Sequence, residues 1–265
     1  MNKPRILCYL NHYYNANGVF NGKSSSHDSN IRKEIVQKTL EGLNLLENAT
    51  VMVCGIEGSS LVDLDITFNY LEDSRMLIFA SLVEMTKHVD EYDYFLNVED
   101  DILVPNEVLN NIYEFDQVSS LNEVLLPNRL EQEGTEVYCV DTKICFPGWI
   151  NTERIFKNKL IKVAINPHSG ILILSKAKLL HAISSIDLTT ISKSIGGPMA
   201  ASYAHFHKPF CLYRFKDDIK FHSIIHMDKW APRKKSNLNL FKISSLKRFL
   251  KVLPLRLKFH IEDIL

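Results

Sequence analysis

The chain has 265 residues, 46% hydrophobic and 23% charged, with 31 basic and 31 acidic side chains. That length and balance suit one sizeable α/β domain with a substantial core, and they exclude a disordered or strongly cationic, nucleic-acid-coating protein. The balance conceals an asymmetry. Up to Asp228 there are 21 basic and 29 acidic residues, and from Lys229 onward 10 basic and 2 acidic, so an acidic body carries a basic tail.

"RILCYLNH" (residues 5–12) reads as a first strand, and its Asn and His interruptions argue against a secretory signal. The Asn-, Gly- and Ser-rich stretch after it is loop chemistry. Over 29–46, Ile31, Ile35, Leu40 and Leu43 fall near helical spacing, with Ser29 or Asn30 as N-cap. "ATVMVCGIEG" is a strand rich in β-branched residues. A long helix is expected from about Ser74 to Lys87, then a strand in "DYFLNVED". This alternation of buried strands and helices predicts a mainly parallel sheet covered on both faces, with ligands beyond the carboxyl ends of its strands.

The second half is more mixed. "EVLLPNRL", "EVYCVD" and "GILILS" read as strands, "SKAKLLHAISSI" as a helix and "GGPMAASYAHFH" as a turn with a short helix. "FCLYRFKDDIKFHSIIH" holds one or two strands. From residue 231 the Pro-containing, basic composition marks a boundary. Ile243, Leu246, Phe249, Leu250 and Leu253 then share one helical face opposite Lys and Arg, broken by Pro254. This extension, 231–265, suits either an anionic membrane surface, with 233–258 as the contact, or a helix packed on the domain. The five cysteines form no Cys-x2-Cys pair and sit among apolar neighbours, as reduced core thiols do. No run reaches the ~18 apolar residues of a membrane span. The expected location is cytoplasmic, or peripheral at the inner face of the cell membrane.

The chemical signal is "YDYFLNVEDDILVP", in which Glu99, Asp100 and Asp101 follow an apolar strand. Adjacent carboxylates repel, and a divalent cation would offset that; Mg²⁺ or Mn²⁺ prefers oxygen and takes one or two protein carboxylates, with phosphates and water completing its shell. The plain alternative is a solvated acidic loop, but the apolar strand places the triplet at a mouth. Tyr13 or Tyr14, just past the first strand, offers a ring to stack on a nucleobase. Arg32 and Arg75, near helix starts at the same mouth, offer charge to phosphate. Zinc through His205, His207, His222 and His226 lacks the usual ligand spacing.

A strand ending in Glu-Asp-Asp, followed by apolar residues, Pro and a helix, resembles the metal motif of GT-A glycosyltransferases, and its spelling is similar to that of N-acetylglucosaminyltransferase I and its relatives. The resemblance rests on the short motif and on element order over roughly residues 4–180. It implies a GT-A-like catalytic domain over 1–230, with a nucleotide-binding half (1–105) and an acceptor half (106–230). It makes Asp101 the leading ligand of Mn²⁺ or Mg²⁺, with Glu99 and Asp100 facing ribose or donor. A late histidine, His222 or His226, is a further ligand; His226 is preferred because it ends its strand. Lys229 would meet the diphosphate, and the Ser169-Gly170 turn would line the donor-sugar pocket. Where inverting relatives carry an acidic base, this chain has Met199 and Ala200, so Asp187 is the nearest acid, and inverting or retaining chemistry stays open. The implied reaction is transfer from a nucleotide sugar, UDP-linked by preference, to a polysaccharide or lipid-linked glycan. Rival readings are a sugar-phosphate nucleotidyltransferase, whose Gly-rich basic loop is missing after the first strand, and a non-catalytic glycan-binding protein on the same fold.

Overall fold

The computed structural model describes residues 3–15, 28–69, 71, 73–133, 135–139, 149–164, 166–190 and 202–228. Strands β1 (Ile6–His12), β2 (Ala49–Ile56), β3 (Ile66–Phe68), β4 (Tyr94–Glu99) and β11 (Ile171–Ser175) form a five-stranded sheet in the order β11-β4-β1-β2-β3. All of its pairings are parallel except that of β11 with β4. The protein is a mixed α/β fold whose main sheet is mostly parallel and flanked by helices.

Side-chain alternation along β1 explains the layering. Ile6, Cys8 and Leu10 point to one face, where they pack with Val36 and Leu43 of α1 (Ser29–Asn44) and Val108, Leu109 and Ile112 of α3 (Asn106–Asp116). Leu7 and Tyr9 point to the other, against Ile78, Phe79, Leu82 and Met85 of α2 (Leu77–Met85) and Leu179 and Ala182 of α4 (Lys176–Ser185). Strands buried on both faces are apolar at nearly every position, which is why β1 and β4 read as near-continuous hydrophobic runs; buried Asn97 of β4 is satisfied by Asn11 and Ser81.

Two further sheets lean on this core. One has the order β6-β12-β10-β9, from β6 (Glu123–Leu125), β12 (Cys211–Phe215), β10 (Lys159–Ala164) and β9 (Trp149–Phe156). Its β9–β10 hairpin turns on Lys157 and Asn158, both at positive φ (50° and 58°), as a tight two-residue hairpin requires. The other has the order β5-β13-β7-β8, from β5 (Ile102–Leu103), β13 (Ser223–His226), β7 (Asn128–Glu133) and β8 (Glu136–Cys139).

Several expectations change. The N-cap of α1 is Asp28, not Ser29 or Asn30; its carboxylate accepts the N–H groups of Asn30 (2.8 Å) and Ile31 (3.4 Å). The helix expected over 74–87 is α2 flanked by two 3₁₀ turns, Ser74–Met76 and Thr86–His88. "EVLLPNRL" is two strands, β6 and β7, parted at Pro127, and the stretch ending in "FHSIIH" is also two, β12 and β13. Strand β11, from later in the chain, completes the central sheet beside β4. Cys8, Cys54 and Cys139 are buried free thiols, and Cys211 is a half-buried one. Among the described residues no helix is long and apolar enough to cross a membrane. The basic extension 231–265 lies outside them.

Candidate functional site

The chain leaves β1 for β2 and β3 on one side, then returns to β4 on the other, so β1 and β4 flank the point where strand order reverses. In open parallel sheets the crevice beyond the carboxyl ends at that point is where ligands bind. His12, the last residue of β1, and the carboxylate triplet ending β4 both lie there.

Each acid of the triplet has its own histidine. Glu99 continues the alternation of β4 toward the α2 side, where its Oε1 meets His168 Nε2 at 3.0 Å. Asp100 turns to the opposite side and is hydrogen-bonded by His12 Nδ1 and Arg32 Nη2. The tautomer of His12 is fixed by its other nitrogen: Nε2 accepts the Leu61 N–H at 2.9 Å, so Nδ1 carries the proton and donates to Asp100. Thr39 Oγ1 donates to the Asp100 carbonyl at 3.0 Å, pinning α1 to this turn. Asp101 Oδ2 lies 3.2 Å from His226 Nε2 and 3.3 Å from Arg32 Nη1.

The third sheet delivers His226. Strand β13 pairs with β5, placing His226 beside Ile102, and runs parallel to β7, bringing Glu131 to its other side. The Met227 N–H donates to the Asp101 carbonyl at 2.8 Å, closing the register. His226 Nδ1 meets Glu131 Oε1 at 2.9 Å, and Tyr138 Oη donates to Glu131 Oε2 at 3.1 Å. The imidazole is thus held between two buried carboxylates. Burial disfavours its charge, but the Asp101 charge and the hydrogen bonds to Asp101 and Glu131 outweigh it and raise His226 to about 10. Burial likewise opposes the Asp101 and Glu131 charges, yet His226 holds both acids below their usual range, and the nearby buried Arg129 adds to this.

Arg32 gathers the remaining acids. Its guanidinium bonds Asp100, lies 3.3 Å from Asp101 Oδ2 and reaches Asp228 Oδ2 at 3.5 Å. Burial works against that charge, and the three carboxylates more than compensate, so it stays fully protonated. The repulsion that made the triplet conspicuous in sequence is therefore offset largely within the protein. Asp101 Oδ1 is buried with no hydrogen-bond partner, one of several such side-chain atoms among the described residues and the one carboxylate oxygen of the triplet among them.

Of the two late histidines, His226 and not His222 faces the triplet. His222 is fully buried beside Phe215, and burial, then the charges of Arg214 and Lys157, push it down to about 3. Gly170 sits at φ 71°, and its carbonyl accepts the Glu99 N–H at 2.8 Å. Ser169 is turned inward, its Oγ donating to the Ile171 carbonyl at 2.7 Å. Buried Arg214 donates to the carbonyls of His168 (2.7 Å) and Pro127, tying that turn to β7. Tyr13, past the end of β1, is half-buried, with its hydroxyl 3.4 Å from Asn15 Nδ2. Arg75 forks onto Asp73 at its helix start. Asp187 is exposed, and its oxygens accept from the Thr189 N–H (2.9 Å), Thr189 Oγ1 (2.6 Å) and Thr190 Oγ1 (3.0 Å). Those hydrogen bonds keep its carboxyl below the usual range, the opposite of what a proton acceptor needs. Lys229, Met199 and Ala200 lie outside the described residues.

Reading the sequence missed Glu131, Arg129 and His12 as members of this cluster. Arg129 and Glu131 carried a signal, since charges at alternate positions of a strand lie on one face and here that face is buried.

Among the described residues no three His, Cys, Asp or Glu side chains form a metal cage. A Mg²⁺- or Mn²⁺-like ion does not require one, since it fills much of its shell with phosphate and water oxygens. The orphaned Asp101 Oδ1 is the oxygen of the cluster that would take such an ion, while His226 Nε2 is bonded to Asp101 Oδ2. Glu131, on the other ring nitrogen, orients the histidine. No protein-family profile matches the chain, and no curated protein matches it.

Proposed function

We propose that the protein is a metal-dependent glycosyltransferase of GT-A type that moves a sugar from a nucleotide donor, UDP-linked by preference, to a glycan or lipid-linked glycan. The observation that carries this reading is the buried, unpartnered Asp101 Oδ1 at the strand-order reversal between β1 and β4. Asp101 would hold Mn²⁺ or Mg²⁺ through Oδ1, with phosphate and water oxygens completing the shell and His226, bonded to both Asp101 and Glu131, positioning that carboxylate. The ion when bound supplies charge stabilisation for a departing diphosphate.

The protein's own side chains supply the rest. Glu131 fixes the His226 ring so that Nε2 faces Asp101. His12 and Arg32 hold Asp100 rigid behind the ligand position, which favours Asp100 as a support for the site over a group that reaches the ribose. Glu99 with His168 presents a half-exposed acid on the other side of β4, where a donor hydroxyl can be received. Asp187, exposed and bound by its own turn, has no part in proton transfer in this reading.

Titration calorimetry with UDP and Mn²⁺ tests it, alongside donor hydrolysis across a panel of nucleotide sugars. The Asp101→Asn variant is expected to lose Mn²⁺-dependent UDP binding by more than about 100-fold, because even outer-shell losses cost roughly 10–100-fold. Unaltered metal-dependent binding in that variant removes Asp101 from the site. Absence of binding and turnover with every donor in the wild type removes the function.

A further inference from the structure

Arg32 is the cation already present in the carboxylate cluster. Three carboxylates from two segments distant in sequence, Asp100 and Asp101 after β4 and Asp228 after β13, converge on one guanidinium. A divalent ion on Asp101 Oδ1 would lie within a few ångströms of the guanidinium on Asp101 Oδ2, and two cations that close repel strongly in a buried site.

When the guanidinium moves, the backbone around it stays fixed. The backbone of α1 is fixed by Val36 in the core and by the Thr39 hydrogen bond to the Asp100 carbonyl. Asp100 keeps His12 when the guanidinium departs, and Asp101 keeps His226. What Arg32 gives up is its bond to Asp100 Oδ1 and its hold on Asp101 Oδ2 and Asp228 Oδ2. A guanidinium is also the side chain best matched to phosphate oxygens.

We infer that Arg32 is the resident counter-cation of the carboxylate cluster and a diphosphate-binding, specificity-determining residue: it keeps free metal ions out and admits a metal–diphosphate complex, onto whose phosphates it moves. The inference rests on the metal-dependent reading above. A bare divalent ion meets the Arg32 charge without compensation. A metal–diphosphate complex brings phosphate oxygens that offset the ion's charge, fully in a nucleotide sugar and with an excess in UDP, and gives the guanidinium a new partner. The site is thereby tuned to the loaded donor and not to the metal alone.

Paramagnetic resonance of free Mn²⁺ tests this without any turnover. Wild-type protein is expected to bind Mn²⁺ weakly alone and tightly with UDP. Arg32→Gln, which removes the charge, should bind Mn²⁺ alone at least roughly tenfold more tightly than wild type. Arg32→Lys, which keeps it, should stay near wild type. If wild type gains Mn²⁺ affinity with UDP but Arg32→Gln binds free Mn²⁺ no better than wild type, Arg32 is a structural ion pair and this inference fails alone. If wild type holds no Mn²⁺ even with UDP, the metal reading fails and takes this inference with it. Should Arg32→Gln not fold, the arginine guanidinium resonances of wild type decide. The Arg32 signal should shift with Mg²⁺ and UDP together and stay in place with Mg²⁺ alone; a full shift with Mg²⁺ alone overturns the inference.

Discussion

Gly58 and Gly170 both sit at φ 71°, yet replacing each with alanine should have very different consequences. An added Cβ on Gly58 meets nothing within 4 Å. That substitution costs only the left-handed backbone strain, roughly 1–2 kcal/mol, partly offset by an unfolded chain with fewer conformations, about 0.4–1 kcal/mol. The same atom on Gly170 would lie 2.9 Å from Ile102 Cδ1, 3.1 Å from Ile102 Cγ1 and 3.0 Å from Glu99 Oε2. Optimal carbon contacts are ~3.5–4.0 Å, and Ile102 is fully buried, so a neighbour must move. Overpacking of this kind adds about 1–3 kcal/mol. Gly170→Ala should therefore be about 1–3 kcal/mol less stable than Gly58→Ala in urea denaturation, with a Tm lower by roughly 2–4 °C for each kcal/mol. Its second readout is the Glu99–His168 contact, now 3.0 Å, which the displaced carboxylate should lengthen, shifting the His168 imidazole resonance. Equal stability of the two variants would refute the close approach, and with it the argument that Gly170 is needed to seat Glu99.

His226→Phe should destabilise the protein by about 3–5 kcal/mol, because Asp101 and Glu131 would remain buried without their shared cation; His222→Phe, which loses only a long Asn111 contact (3.5 Å) and adds volume beside Phe215, should cost less, about 1–3 kcal/mol. Chemical denaturation of both variants separates the paired histidine from the packed one. The pH dependence of stability has a defined sign. His226 is raised from 6.5 to about 10 in the folded state, so its contribution is full below about pH 6.5 and is lost as pH rises through about 10. Asp101 is shifted down, so its contribution is full above its unfolded value, near 3.9, and is lost on acidification below that. Denaturation from pH 4 to 10 should show stability falling on the alkaline side in wild type and a flatter profile in His226→Gln.

Much of the fold was legible because its determinants are local. Apolar runs identified β1, β2, β4 and β11, and helical spacing identified α1 and the region of α2. The hairpin of β9 and β10 was not recognised, because its turn is Lys157-Asn158 and lacks the glycine that usually announces such turns. The N-cap slipped by a residue because Asp28, Ser29 and Asn30 can all cap, and only the observed hydrogen bonds choose among them.

The sequence alone determined that an apolar strand ends in three acids at the mouth of a mainly parallel sheet, since period and hydrophobicity are properties of neighbouring residues. What those acids do was decided by the tertiary structure. Asp100 meets Arg32 across 68 positions of chain, and His226 meets Glu131 across 95; such pairings follow from strand order and register, which no local pattern encodes. Strand alternation sends Glu99 and Asp100 to opposite faces, and the third sheet inserts His226 between two acids. The triplet is for this reason three carboxylates that each meet a different histidine, and Asp101 among them has a buried oxygen without a partner.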